Sequence, residues 1–523
     1  MKRIRPAFLL FVVGAALPNL SAQTTPDLLW ARKAGSIDSD AGYAIAADSA
    51  GNIYVTGAFY ATNDFGPVKL VSAGLSDIFV AKYDADGNLV WARRAGGTSY
   101  DEARGIAVDG AGNAYITGFF QLTANFAPTN LVSTGQSDVF VAKYDPAGSL
   151  QWARRAGGND FEEGHAICMD ASTNLYIAGY FDANANFGSI ALRNNSSSSD
   201  IFVAKCDRNG TFLWAHQAGG DGEDIGQAIA LDTAANVYVT GYFESNALFE
   251  TTALITTGTA GLRDMFLASY SSSGTFRWVR QAGGAAEDSG SGVAADDQGS
   301  VYVTGSFTTP ATFTSTNLTG SGQDIFLAKY DSVGAFSWVR RAGGNNAIYG
   351  DGGESVAIDA ARNVYVAGYF SGTANFGTTN LPSSGFDDVF IAKYNPSGNL
   401  QWVRKIGGAN LDVGYAVALD AATNICVTGF FYATAAFGST NFTSAGFDDL
   451  FVLKLGTVPR PFLAAAKSGT NIRLSWPAWA TNFWLESTDQ ISNITTWVRI
   501  PVSTNIITLP ASGRQKFFRL KKP

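Results

Sequence analysis

An all-β chain assembled from one repeated antiparallel unit is what this sequence predicts, and three observations carry the prediction. Seven of its eleven tryptophans stand at 30, 91, 152, 214, 278, 338 and 402, a spacing of 60 to 64 residues. Glycine supplies 58 of the 523 residues, aromatics 13% and charged residues only 15%, a composition of turns and strands in which no long amphipathic helix can be read. Around each Trp the same text returns, as in LVWARRAGG at 89–97, GIAVDGAGNAYITGFF at 105–120 and SDVFVAKYDPAGSL at 137–150. Self-similarity at a fixed period signals a repeat architecture, and an apolar fraction of 46% is ample for real cores.

Each unit reads as four strands. The first, such as 105–108, ends at an Asp that opens a tight D-x-x-G-N turn into the second, 114–117. A longer connection holding a recurrent Phe (65, 126, 187, 249, 313, 376, 437) leads to the third strand, which follows an Asp, and a second D-x-x-G turn starts the Trp strand. Four antiparallel strands repeated in this way predict a β-propeller blade. First strands precede Asp48, 109, 170, 232, 296, 359 and 420, and third strands follow Asp77, 138, 200, 264, 324, 388 and 449, so both sets number seven.

The last repeat stops at Phe451-Val-Leu-Lys without a Trp strand, whereas the chain begins with Leu28-Leu-Trp-Ala-Arg, which belongs to no earlier unit. The expectation is a seven-bladed propeller over 27–456, closed by its N-terminal strand, which leaves no free edge to template aggregation. Small residues two before each closing Asp (Ala46, 107, 230, 294, 357, 418 and Cys168) alternate with Ile45, 106, 167 and 229 and Val293, 356 and 417. Each blade should thus offer a flat side to its neighbour's bulky side.

The combination of V-T-G-x-F, D-I-F-V-A-K-Y-D and W-A-R-R-A-G-G resembles the bacterial SBBP family, named for seven-bladed propeller repeats, over about four fifths of the chain. The resemblance implies an exported propeller and fixes no activity. The departures are mild: Ser271 replaces an Asp in one turn, Ser269 replaces a Lys in one third strand, and the D-x-x-G-N glycine is missing from blades three, four, six and seven.

The opening MKRIRPAFLLFVVGAALPNLSAQ runs from basic residues through an apolar stretch to small ones, the layout of a secretory signal peptide over 1–22 with cleavage after Ala22. Its apolar run, 7–17, is too short to span a bilayer comfortably. Removing Lys2, Arg3 and Arg5 with it takes the formal charge from −8 to −11. A protein so acidic, with no basic stripe, is not expected to bind nucleic acid. The expected protein is therefore soluble and monomeric, secreted or held at the cell surface. Cys168, Cys206 and Cys426 replace Ala or Tyr of the repeat and read as packing residues, since an odd count at unmatched positions does not make a disulfide framework.

After Gly456, the stretch 457–461 with Pro459-Arg-Pro reads as a linker, and 462–523 as a small domain with Trp476, 479, 484 and 497. Short runs at 472–476, 483–485, 497–500, 506–509 and 517–520 suggest an antiparallel sandwich that looks like a short immunoglobulin or fibronectin type III module.

Two sets of residues are candidates for chemistry. Eight before each first-strand Asp stands another acid: Asp40, Asp101, Glu162, Asp224, Asp288, Asp351 and Asp412. Converging carboxylates would suit Ca²⁺, the one cofactor the sequence raises, whereas acids that each cap their own loop would recur in the same way and bind nothing. Three residues after that acid the repeat breaks down, with Tyr43, Arg104, His165, Gln227, Ser291, Glu354 and Tyr415 at equivalent places. Packing would enforce similarity, so this variety suits a channel mouth facing a ligand such as a glycan or protein.

No G-x-S-x-G, H-E-x-x-H or P-loop occurs, and an enzyme would have to start from His165 beside Glu162 and Glu163, with Glu354. The expectation is an exported, non-catalytic binding scaffold that needs no cofactor. The alternative is a secreted carbohydrate-active hydrolase or lyase using acids at the channel mouth.

Overall fold

The computed structural model describes residues 25–194, 198–258, 262–344, 350–457, 463–468, 471–476, 484–488, 497–501, 504–510 and 516–521. The expected signal peptide, 1–22, lies outside them, as do 458–461 of the expected linker. No helix among the described residues is long and apolar enough to cross a membrane. The chain divides into two compact units, of which one is 23–456 and the other holds the strands beyond Thr457.

Within 23–456 the strands pair antiparallel in groups of four, as the repeat predicts; three groups stand as separate four-stranded sheets and further pairs join the others into six- and eight-stranded sheets. The second sheet is typical: Asp101–Val108 pairs with Ala114–Phe120, which pairs with Asp138–Tyr144, which pairs with Leu150–Gly158. Asp109 makes the first turn by accepting the N–H groups of Ala111 and Asn113 at 3.0 and 2.9 Å and the Asn113 amide at 2.7 Å. The turn needs φ > 0 at its fourth position, which Gly51 and Gly112 adopt freely. Where glycine is missing, Thr173, Ala235, Arg362 and Thr423 take φ of 56 to 64° instead, held by the same Asp cap.

The apolar core lies between successive sheets. Tyr54, Ile78, Val80 and Trp91 of the first unit pack with Ile106, Ile116, Phe120 and Phe140 of the second. Ala46 joins this cluster whereas its neighbour Ile45 joins the preceding one, as the alternation of flat and bulky sides requires. Cys206 and Cys426 are buried in such clusters, Cys168 packs at the edge of another, and all three are free thiols.

Trp30, Trp91, Trp214 and Trp278 also tie their units to the next. Trp91 Nε1 donates to Pro146 O and Trp278 Nε1 to Ser332 O, both carbonyls in the following unit's D-x-x-G turn. The turn glycines Gly148 and Gly334 lie so close to these indoles that a Cβ would sit 2.6 to 2.8 Å from the ring.

The N-terminal strand obeys the same rules. Asp27–Ala34 pairs antiparallel with Thr440–Gly456, Ala31 opposite Leu453 and Lys33 opposite Phe451. Trp30 Nε1 donates to Ala85 O at 3.0 Å in the first unit's turn, and Gly87 faces its ring. Trp30, Cys426, Leu450 and Val452 share a core with Ile45, Val55 and Phe79. Gly42 packs on Thr428 as Gly164 packs on Thr117. First strands touch in succession: Ala41–Ala47 packs on Asp101–Val108 and also on Asp412–Leu419, and every intermediate neighbour pair is in contact.

The longer connections contain short hairpins that periodicity did not reveal, such as Thr62–Asp64 with Lys69–Val71 and Asn184–Phe187 with Ile190–Arg193. The recurrent Phe anchors them: Phe65, Phe126 and Phe187 are buried against the third-strand rings of Phe79, Phe140 and Phe202 at 4.7 to 5.4 Å. Three-residue strands carry too short an alternation to be read from sequence.

Among its described residues the C-terminal unit contains two three-stranded antiparallel sheets. One joins Ala464–Ser468, Asn471–Ser475 and Ile506–Pro510, and the other Val498–Ile500, Trp484–Thr488 and Phe517–Lys521. Both contribute to a core of Leu474, Trp476, Leu485, Ile507 and Phe518. Ala464–Ser468 was not foreseen. Trp484 and Trp497 lie under the guanidinium groups of Arg499 and Arg519 at 3.7 and 4.1 Å, and Trp479 lies outside the described residues.

Candidate functional site

The repeated acids are buried, none more than 3% exposed, and each is bonded to its own loop. Asp40 accepts the N–H groups of Ser36 at 2.6 Å and Tyr60 at 2.9 Å. Asp101 does so from Gly97 and Gln121, Asp224 from Gly220 and Glu244, Asp288 from Gly284 and Thr308, and Asp351 from Gly344 and Ser371. Glu162 and Asp412 accept the N–H groups of Gly158 and Gly408 at 2.7 and 2.6 Å. A carboxylate is the one side chain that can receive both donors at once, which explains why the position repeats.

Each acid except Asp40 also faces the Asp that opens the preceding third strand, a pairing invisible in sequence because 24 or 27 residues separate the two. A Cβ on Gly157 would lie 1.9 Å from Asp138 Oδ1 and 2.6 Å from Glu162 Oε2, so glycine is required where the two carboxyls meet. Asp138 Oδ1, Glu162 Oε1, Asp388 Oδ1 and Asp412 Oδ1 are buried with no hydrogen-bond partner. Such facing carboxyls suit one shared proton.

Burial pushes Asp351 up to about 6, Asp40 and Asp101 to about 7, Asp224, Asp288 and Asp412 to about 8 and Glu162 to about 9. The facing carboxylate adds to the rise in all but Asp40. The converging set envisaged for calcium does not form: among the described residues no three of His, Cys, Asp and Glu gather as a metal site.

The variable residues occupy a different kind of place. In every first strand one residue has no ladder partner: the register steps from Gly42 to Ala44, Ala103 to Gly105, Gly164 to Ala166, Gly226 to Ala228, Gly290 to Gly292, Gly353 to Ser355 and Gly414 to Ala416. The skipped residues are Tyr43, Arg104, His165, Gln227, Ser291, Glu354 and Tyr415. A β-bulge releases one side chain from the pleat and re-aims it, so these positions escape the packing that makes the rest of the strand repeat.

Four of the seven gather into one cluster. The rings of Tyr43 and Tyr415 lie 5.4 Å apart, the Arg104 guanidinium sits 4.4 Å from the Tyr43 ring, and Arg104 Nη2 is 2.6 Å from Glu102 Oε2. Glu354 acts electrostatically on Tyr415, and burial alone pushes its carboxyl up to about 7. His165 stands on the first strand next to that of Arg104, 3.5 Å from Glu163 Oε2 and edge-on to Tyr180 at 5.5 Å. Burial favours the neutral form of Glu163, yet His165 and Arg104 hold its carboxyl below the usual range.

Glu163, named with His165 from the sequence, belongs to this site, and so do Glu102 and Tyr180, which were not foreseen. An acid directly after the loop acid, present only as Glu102 and Glu163, was the signal available in the sequence. Glu162, nominated together with His165 for catalysis, is instead bound to its own loop at Gly158.

A β-propeller repeat family, SBBP, matches residues 29–58, 90–118, 213–247 and 277–306. The chain is 25% identical over 556 residues to an uncharacterized WD repeat-containing protein of Acanthamoeba polyphaga mimivirus, covering 92% of this chain and 37% of that protein. It is 28% identical over 278 residues to the regulatory protein FlaEY of Caulobacter vibrioides, covering 48% of this chain and 28% of that one. The chain thus spans well under half the length of these curated relatives.

Among solved structures, the WD40 β-propeller domain of Doa1 aligns with a TM-score of 0.39 at 8% identity over 82% of this chain and 97% of that one. The polysaccharide lyase Uly1 aligns at 0.41 and 8% identity over 80% and 91%. Likeness at this level carries no argument about activity. The chain carries SBBP β-propeller repeats in an all-β, propeller-like fold.

Proposed function

We propose that 27–456 is a seven-bladed propeller closed by its N-terminal strand, exported by the segment 1–22, and that it binds an extracellular glycan or protein at the mouth of its axial channel without catalysing a reaction. One observation carries the reading: the first-strand position freed from the ladder in every unit holds Tyr, Arg, His, Gln, Ser or Glu from unit to unit. Closure is supported by the unbroken succession of first-strand contacts and by Trp30, which donates to the first unit's turn as Trp91, Trp214 and Trp278 do to theirs.

The paired Tyr43 and Tyr415 rings beside Arg104, Glu102 and Glu354 offer an aromatic face with charged groups at its rim, which suits a sugar ring or a peptide. The C-terminal pair of sheets serves as an immunoglobulin- or fibronectin-like spacer or accessory module. The protein works as a monomer and requires no cofactor.

Glycan and protein arrays probed with the full chain test this. A specific ligand should appear, and Tyr43→Ala with Tyr415→Ala should weaken it by about ten-fold or more. The same proteins are screened on polysaccharides for hydrolase and lyase turnover. Turnover that disappears in Glu354→Gln would replace the scaffold by an enzyme.

A further inference from the structure

The repeat supplies its own controls, and one unit departs from them. The first Arg of W-A-R-R-A-G-G reaches the neighbouring turn: Arg32, Arg93, Arg280 and Arg340 donate through Nε to the carbonyl oxygens of Gly87, Gly148, Gly334 and Gly398 at 2.7 to 2.9 Å. The next position compensates the buried Asp of the third strand. Lys33, Arg94, Arg155, Arg341 and Lys405 lie 2.6 to 3.5 Å from Asp449, Asp77, Asp138, Asp324 and Asp388. Gln281 donates to Asp264 at 2.7 Å.

The third unit has lost both cations, for it reads Trp214-Ala-His216-Gln217. His216 turns to Glu250, Nδ1 to Oε1 3.2 Å, and stacks on Tyr270. Gln217 is engaged with both backbone groups of Arg193. Asp200 is 5% exposed, and its Oδ1 is buried with no hydrogen-bond partner among the described residues. Where the cations are missing a cavity of about 360 Å³ opens, lined by Asp200, His216, Gln217 and Glu250 between the apolar walls of Leu192 and Leu248.

We propose that this cavity binds an organic monocation carrying N–H donors, a guanidinium or primary ammonium group, in the place the sibling units fill with their own Arg or Lys. A buried carboxylate without a counter-charge is costly, and a ligand that supplies the charge and the hydrogen bonds recovers that cost. Glu250 at the cavity wall adds a second negative charge. In five sibling units an Arg or Lys head group lies against the Asp equivalent to Asp200.

Calorimetric titration of the full chain at low salt tests the site, with methylguanidinium chloride in one arm and an acetylated, amidated Gly-Arg-Gly peptide in the other. Saturable binding is expected in both arms. A tighter peptide identifies a protein side chain as the source of the cation, and equal affinity identifies a free small molecule. Gln217→Arg, which restores the sibling sequence, should weaken binding by about ten-fold or more and raise Tm. Asp200→Asn should weaken binding to the same extent, and Gln281→Arg in the next unit should not. Absence of binding, binding unchanged in both Gln217→Arg and Asp200→Asn, or tighter binding of calcium or zinc chloride than of methylguanidinium would overturn the proposal.

Discussion

Asp224 and Gln227 stand three residues apart at the start of one strand, yet the first is a carboxylate in all seven units and the second is replaced by Tyr, Arg, His, Ser or Glu elsewhere. Asp224 is fully buried and receives two backbone N–H groups, whereas Gln227 is the residue its ladder skips. Repetition therefore marks what the backbone needs. The skipped position varies because the backbone has let its side chain go, and a position so released is free to specialise for a ligand.

The comparison breaks most visibly at the acid. Asp224→Ala should destabilise by about 2–4 kcal/mol, because it strands two buried N–H groups, and chemical denaturation would measure it. A loss below about 1 kcal/mol would show that the loop does not depend on its carboxylate.

The paired acids also predict a pH dependence. Their carboxyls sit near 6 to 9 in the native state against about 4 in an unfolded chain, so the native protein holds more protons between those values. The stability they contribute is full below about pH 4 and is lost as pH rises through the native values. Melting followed from pH 6 to 9 should show Tm falling, less steeply in Asp224→Asn. A Tm that rises over this range would contradict the facing carboxyls.

Smaller effects sharpen the same contrast. Ala235→Gly and Thr173→Gly relieve a left-handed backbone that the repeat elsewhere assigns to glycine, and each should stabilise by about 0.5–1 kcal/mol in denaturant titration. Gln227→Ala should change stability by less than about 0.5 kcal/mol. Calcium added to metal-free protein should leave Tm unmoved, and a rise that saturates would restore the cation reading of the acids.

The four-stranded repeat, the pairing of Leu28–Arg32 with the last unit and the existence of the acid and variable positions were legible in the sequence, because period, turn chemistry and strand alternation are local properties of the chain. The hairpins around Phe65 and its counterparts were not, since three-residue strands are defined by the Phe they lay against the sheet.

Nor could the sequence show what the two site positions are. Whether an acid binds metal or its own loop depends on N–H groups 4 and 20 residues away, as in Asp101 with Gly97 and Gln121. The bulge that frees Arg104 exists only when the neighbouring strand is in register, and the vacancy beside Asp200 only when five sibling units have been folded for comparison. Periodicity determined which residues are equivalent. Tertiary contacts decided which of those equivalents face backbone, a proton-sharing neighbour or open space.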